Sequence, residues 1–511
     1  MTSLTQHLSK ITGEAFTSLG LDPAIGQVRT SDRPDLAQFQ CNGAMAAAKP
    51  LKKNPREIAA QIIELLQNHE EIESLDIAGP GFINITLTDD FIGQHLQITT
   101  PQQTDNSDKT IIVDYGGMNV AKAMHVGHLR PTVIGDCIKR LLTHAGYNAL
   151  GDIHLGDWGL QMGQIIHAFE LENPDWPYFD PDFTGPYPVE APFDYAGLED
   201  IYPKASAACK DDPERLEAAR RATADLQAER PGYRALWEHF MTLSIMDIKQ
   251  NLKPLGVNFE IWKGEACVMP LIPEITQTLK SQNIVEESEG AHIIRTENED
   301  DKKEMPPLIF LKSNGAVTYG TTDLATIYDR INTHDHLTQI IYVTDFRQNL
   351  HFEQLFRAAD RAGYADNLIL THIGNGTING ADNKPFKTRE GKAMRFEDMI
   401  NSTIQKARER LDEANLSDDI NEAEREDIAK KVAIAALKFN ELSNQPHMNY
   451  IFDLDRMTEF EGKTGPYLLY QAVRIQSLLN KAGGTIDSAP LQIDEQSRSL
   501  CLLYTSPSPR D

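Results

Sequence analysis

A chain of 511 residues with 41% hydrophobic residues is too long for one core and long enough for two or three globular domains. Its formal net charge of −26 weighs against indiscriminate binding to nucleic acid, which needs lysine and arginine on the contact face; any RNA contact must come from local basic patches. No apolar run is long enough to cross a bilayer, residues 1–12 lack the order of a secretory signal, and the five cysteines form no Cys-x-x-Cys pair, so the expectation is a soluble, cytoplasmic protein with reduced thiols and no metal centre.

Residues 1 to about 98 read as a small α/β unit. Asn54-Pro55 caps a helix whose apolar face is expected to hold Ile58, Ile62 and Leu65. Gly79-Pro80-Gly81 then turns the chain into a half-buried strand, with Ile83, Ile85 and Leu87 alternating with Asn84 and Thr86. Residues 100–108 are polar, contain Pro101 and read as a linker. From Ile111 short apolar strands alternate with helices: strand 111–113, helix 134–142, strand 149–155, then a helix through Ile165 and Phe169. That alternation predicts a parallel sheet with helices on its faces.

Residues 173–203, rich in proline and aromatics, read as an inserted connection, and 213–251 as a helical stretch. The α/β pattern resumes near Leu308, where strands 308–312 and 316–319 flank the hairpin signal Asn314-Gly315; 340–344 and 368–373 are the next buried strands. Beyond about Arg395 the chain reads as helical, at 404–411, 428–442 and 468–482. Residues 501–511 lose all pattern and read as a cloning or assembly scar.

Two short segments carry chemistry. His125-Val126-Gly127-His128 follows a buried strand and opens a helix that Pro131 helps to start. Glycine admits close backbone approach to a nucleotide, helix-start amides are unpaired, and two imidazoles can donate to phosphoryl oxygens. This suits transfer at an α-phosphate, where stabilising charge matters more than general-base help. The plain alternative is a pair of surface or metal-ligating histidines, and no third ligand stands nearby. Lys384-Pro385-Phe386-Lys387-Thr388 lies in a polar loop after strand 368–373, placed to close over a triphosphate and neutralise pyrophosphate; such a loop by itself is ordinary solvated surface.

The run Asp114-Tyr115-Gly116-Gly117-Met118-Asn119-Val120-Ala121-Lys122 into His125–Arg130 resembles the signature region of arginyl-tRNA synthetases. Further likenesses follow in order: Gly156-Asp157-Trp158-Gly159, Tyr319-Gly320-Thr321-Thr322-Asp323, Gln348-Asn349-Leu350-His351 and Gly465-Pro466-Tyr467-Leu468-Leu469-Tyr470, over about residues 1 to 500. The resemblance implies that His125, Gly127 and His128 hold ATP, with Lys384 and Lys387 standing for the lysines of a degenerate Lys-Met-Ser-Lys-Ser loop. Lys122 is similar to a family lysine that compensates for that degeneracy. Asp114, Asn119, Tyr319, Asp323 and Gln348 correspond to arginine-binding residues. Carboxylates and a phenol suit the planar five-donor guanidinium. Taken singly, Asp323 reads equally as a cap for a helix starting near Leu324, and Tyr319 as a strand residue with a wet tip.

The implied fold is a Rossmann-like parallel-sheet catalytic domain (106–395, with an insertion at about 173–260), a small N-terminal α/β domain (1–105) that contacts tRNA, and a C-terminal all-α anticodon-binding domain (396–511). The last is expected to be incomplete, stopping soon after Gly483-Gly484. Lys49, Lys52, Lys53 and Arg56 form a basic cluster suited to tRNA phosphates or simply to a solvated helix start; Tyr467, Tyr470 and Arg474 suit RNA contact or a helix core. Gly116-Gly117-Met118 and Pro131 depart from the family pattern, which bears on loop geometry. The expected reaction joins arginine to tRNA(Arg) through arginyl-adenylate, with ATP and Mg2+ as substrate, no tightly bound cofactor, a monomeric enzyme, and tRNA bound before activation. The competing readings are another His-x-Gly-His nucleotidyl transferase or class I synthetase, and a non-catalytic tRNA-binding paralogue.

Overall fold

The structure is a computed structural model and describes residues 3–33, 36–97, 105–384, 386, 394–413, 420–483 and 497–498. The chain divides into two compact units, Met1–Gln103 with Lys481–Asp511, and Thr104–Asn480. No described helix is long and apolar enough to cross a membrane.

The first unit runs α1 (Leu4–Ser18), β1 (Val28–Thr30), β2 (Phe39–Cys41), α2 (Gly43–Leu51), α3 (Pro55–Leu66), β3 (Ile72–Ala78), β4 (Phe82–Leu87) and α4 (Asp89–Gln97). Its sheet is antiparallel in the order β1-β2-β4-β3. The Asn54 side chain accepts from the Arg56 amide at 2.9 Å, and Pro55 takes the first helical position. Ile58 and Ile62 are buried as the spacing predicts, but Leu66 completes their stripe and Leu65 is exposed. Steps of four residues keep one face inward, and Leu65 stands about 100° round from Leu66. Strand β4 has neighbours on both sides, so Asn84 is also buried, accepting from Gln40 Nε2 at 3.1 Å.

The second unit begins with β5 (Asn106–Tyr115), α5 (Leu129–His144), β6 (Tyr147–Asp152) and α6 (Leu160–Glu172). Helices α7 (Tyr195–Asp211), α8 (Pro213–Gln227) and α9 (Pro231–Leu252) follow, so the segment read as a connection already turns helical at Tyr195. Next come α10 (Ile272–Ser281), β7 (Val285–Ser288), β8 (Ala291–Ile294), β9 (Leu308–Leu311), α11 (Tyr319–Thr333), β10 (Leu337–Asp345), α12 (Asn349–Arg361), β11 (Ile369–Asn375) and β12 (Ile378–Asn379). The chain continues through α13 (Phe396–Glu413), α14 (Glu422–Leu442), β13 (Tyr450–Ile451), α15 (Leu454–Met457) and α16 (Gly465–Lys481).

The central sheet is parallel, in the order β11-β10-β5-β6. The chain moves from β5 to β6 on one side and returns to β10 on the other, so the order reverses between β5 and β10. Outside the carboxyl ends of strands at such a reversal lies a crevice where ligands bind in α/β folds. Gly315 makes the expected turn, its amide donating to the Lys312 carbonyl at 2.8 Å. The return strand is reduced to one bridge between Leu311 and Val317, because Thr318 is the N-cap of α11, its amide donating to Thr321 Oγ1 at 3.0 Å, and Tyr319 already belongs to that helix.

Candidate active site

The histidine segment lies just past the end of β5, at the start of α5. The His125 amide donates to His128 Nδ1 at 3.0 Å, and the Gly127 amide donates to His125 Nδ1 at 3.1 Å. A backbone amide can only donate, so each Nδ1 is an acceptor and each neutral ring carries its proton on Nε2. The two rings lie with centroids 4.0 Å apart. A Cβ on Gly127 would sit 2.8 Å from the His125 ring, so only glycine lets that imidazole fold back onto the loop. Burial, then the Lys122 charge, lowers His125; burial, then His125 and Lys122, pushes His128 down to about 3. Both rings are therefore neutral donors at neutral pH.

The lysine turn is reached from β11 through β12. The Gly380 amide donates to the Lys384 carbonyl at 2.8 Å, and the Lys384 amide to Asp382 Oδ1 at 3.1 Å, leaving an exposed Lys384 at the tip. Lys387 lies outside the described residues. Where the chain re-emerges it pairs with the histidine segment: the Val126 amide donates to the Met394 carbonyl at 2.9 Å and the Phe396 amide to the Met124 carbonyl at 3.0 Å. Val126 and Met394, 268 positions apart, and Met124 and Phe396, 272 apart, are thus brought together beyond the end of β5.

A second group gathers beside β5 and β6. Asp114 is buried, and its carboxylate meets the chain's own Arg330, whose Nη2 stands 2.5 Å from Asp114 Oδ2 and 2.8 Å from Asp152 Oδ2. Arg330 Nη1 also donates to the Tyr342 hydroxyl at 3.2 Å. Burial pushes the Asp114 carboxyl up, with Arg330 and His154 opposing it. Asn119 bridges to Gly156, where a Cβ would fall 2.2 Å from Asn119 Oδ1; a glycine is required for that side chain to keep its place.

Asp323 sits inside the first turns of α11 rather than before it, so it is no cap; its Oδ2 is 2.6 Å from His351 Nε2 and its Oδ1 4.0 Å from His154 Nε2. Tyr319, the first residue of α11, is largely exposed, and the charges of Glu265 and Asp323 help burial to raise its hydroxyl. Glu265 is pushed up to about 7, first by burial and then by Asp157 and Asp323 against the opposing pull of His154. Gln348 is exposed at the start of α12. Tyr319, Asp323 and Glu265 therefore share an acidic corner that a cation would relieve. Arg330, Asp152, Glu265 and His154 escaped the sequence reading; Arg330, two turns after Asp323 on the same helix face, offered a faint signal.

Lys49 at the end of α2, Lys52 and Lys53 on the connection and Arg56 in the first turn of α3 are all exposed, with Arg56 Nη1 donating to the Gly79 carbonyl. Tyr467, Tyr470 and Arg474 are on α16, and both tyrosines are substantially exposed.

A parallel sheet with its reversal beside β5, and paired neutral imidazoles opening the next helix, defines a nucleotide-activating core of the class I synthetase kind. Residues 92–454 match the family described as tRNA synthetases class I (R), catalytic domain, and residues 2–87 the arginyl tRNA synthetase N terminal domain. The arginine–tRNA ligase of Hyphomonas neptunium is 48% identical over 495 residues, covering 96% of this chain and 84% of its own; that of Maricaulis maris is 47% identical over 513 residues, covering 98% and 87%. The crystal structure of arginyl-tRNA synthetase from Plasmodium falciparum has a similar fold, with a TM-score of 0.78 at 23% identity over 99% of this chain and 86% of that one. The chain belongs to the arginyl-tRNA synthetase family and is an aminoacyl-tRNA ligase.

Proposed function

We propose that this enzyme activates L-arginine with MgATP to arginyl-adenylate and transfers arginine to the 3′ end of tRNA(Arg). The observation that carries the reading is the juxtaposition of two neutral imidazole donors with the returning end of the lysine loop. The arginine carboxylate is already ionised and needs no base; what in-line attack on the α-phosphate requires is alignment and charge stabilisation. His125 and His128, through Nε2–H, would hold phosphoryl oxygens beside the helix-start amide of Gly127; Lys122, Lys384 and Lys387 would neutralise the triphosphate. Magnesium arrives with ATP as part of the substrate, and no tightly bound cofactor enters.

Asp323 and Tyr319 suit the substrate guanidinium, and Asn119 and Gln348 its amino-acid end. Asp114 acts in this reading through Arg330: its carboxylate is occupied by that side chain, so it shapes the pocket wall. Lys49, Lys52, Lys53 and Arg56 would track tRNA phosphates. The reading includes a monomeric enzyme working in the cytoplasm.

ATP–pyrophosphate exchange measured with each of the amino acids, with and without tRNA(Arg), tests the reading. Exchange should follow arginine alone, and His125→Ala with His128→Ala should reduce it about a hundredfold or more. Exchange that follows another amino acid, or that survives both substitutions, would overturn it.

A further inference from the structure

Nothing in the sequence joins the lysine turn to the histidine helix, yet the structure ties them through a third segment. Residues 446–452 run alongside the start of the lysine loop. The Gly376 amide donates to the Pro446 carbonyl at 2.8 Å, the Thr377 amide to Asn449 Oδ1 at 2.8 Å, the Tyr450 amide to the Thr377 carbonyl at 3.3 Å and the Phe452 amide to the Asn379 carbonyl at 2.8 Å. One residue after Asn379 the turn that presents Lys384 begins.

Arg130 grips this strap from the other side. It lies two residues after His128 on α5, and its side chain is 1% exposed. Its Nη1 donates to the Met448 carbonyl and its Nη2 to the Gln445 carbonyl at 3.2 Å, while Nε faces Glu441 Oε2 of α14 at 3.2 Å. The Tyr450 ring lies 5.1 Å from the guanidinium carbon, and the Tyr450 hydroxyl donates to Glu441. A planar fork with several donors can hold two carbonyls and a carboxylate at once, which an ammonium cannot do in the same geometry.

We propose that Arg130 is a positioning residue for ATP: by holding the 445–448 carbonyls to the helix that the histidines open, it sets the lysine turn at the distance a triphosphate needs. Burial of so large a charged group is costly even with the Glu441 carboxylate beside it, and both terminal nitrogens of the fork are spent on carbonyls of the strap, which holds it in register. The proposal rests on the reading of Lys384 as a phosphate ligand. Both ends of the loop are then referenced to one short segment, residues 124–130, the far end through Met124 and Val126 and the near end through Arg130.

The test is a double-mutant cycle on MgATP binding, by calorimetry on the full chain, with Arg130→Lys, Lys384→Ala and both together. Arg130→Lys should weaken MgATP by about tenfold, leave the KM for arginine within about twofold, and add nothing in the Lys384→Ala background. Tyr450→Phe, a milder change, should weaken MgATP in the same direction while keeping the fold intact by circular dichroism. A purely structural Arg130 would move both substrates alike or give additive effects in the double variant, and either result overturns the proposal. Failure of the arginine assignment would show separately, as exchange with another amino acid by the unaltered enzyme, since MgATP binding does not depend on which amino acid is used.

Discussion

The two units of this chain build their interiors differently. Around α1, α3 and β4 the core is almost wholly apolar, with Phe16, Ile58, Ile62, Ile83 and Ile85 packed together. In the unit of the parallel sheet, apolar clusters are interrupted by charge: Arg330 between Asp114 and Asp152, Arg130 against Glu441, and a fully buried Asp157. An apolar core tolerates many equivalent arrangements, whereas a buried charge is tolerable only in one. The difference teaches where geometry has to be held: charge is buried where strands and loops converge on the site, and nowhere comparable in the N-terminal unit among the described residues.

The comparison breaks most sharply at Arg330. Arg330→Ala strands two carboxylates and should cost about 3–5 kcal/mol. Hydrogen exchange should report it as lost protection across β5, β6 and β10, with β2 and β4 unchanged; equal loss in both units would show the buried charge to be incidental. A smaller, opposite test is Ile62→Val, expected to cost about 0.5–1.5 kcal/mol and to loosen α3 and β4 alone. Protection lost in the parallel sheet would contradict the separation of the two cores.

The smallest effect expected is in pH. Because His125 and His128 are both lowered, their neutral, donating forms predominate at neutral pH, and protonation comes in acid, for His128 only at about pH 3. Between pH 6.5 and 8, kcat/KM for ATP should therefore show no histidine limb, and the His128→Asn profile should run parallel to the unaltered one to within about twofold. A limb near pH 7 that His128→Asn removes would mean that the imidazolium is the working form.

How far the sequence reaches depends on how near in the chain the partners are. His125, Gly127 and His128 were legible because their geometry is local: both hydrogen bonds span two or three residues. The alternation that predicts a parallel sheet was legible for the same reason, though β5 extends to Asn106 and β6 ends at Asp152. Arg330 was not, because its partners lie 216 and 178 residues away and meet it only once crossovers have set the strand order. The start of α11 was missed because Asn314-Gly315 signals a hairpin strongly, while the Thr318 cap that wins is an ordinary threonine. Leu65 was misplaced by one residue of helical phase.

The strap at 446–452 has a consequence for how the enzyme comes into being. Its side-chain bond to Thr377 spans 72 residues, and helices α13 and α14 lie between the two ends. Residues 446–452 are synthesised after the strands of the parallel sheet and after the lysine turn, so on a growing chain this tie can close only once they have emerged. The parallel sheet and the histidine helix can therefore exist on the ribosome with no lysine turn set beside them. If the strap sets the lysine turn as proposed, a nascent chain lacking α14 and the strap would hold the crevice beside β5 and β10 without the tie that places Lys384.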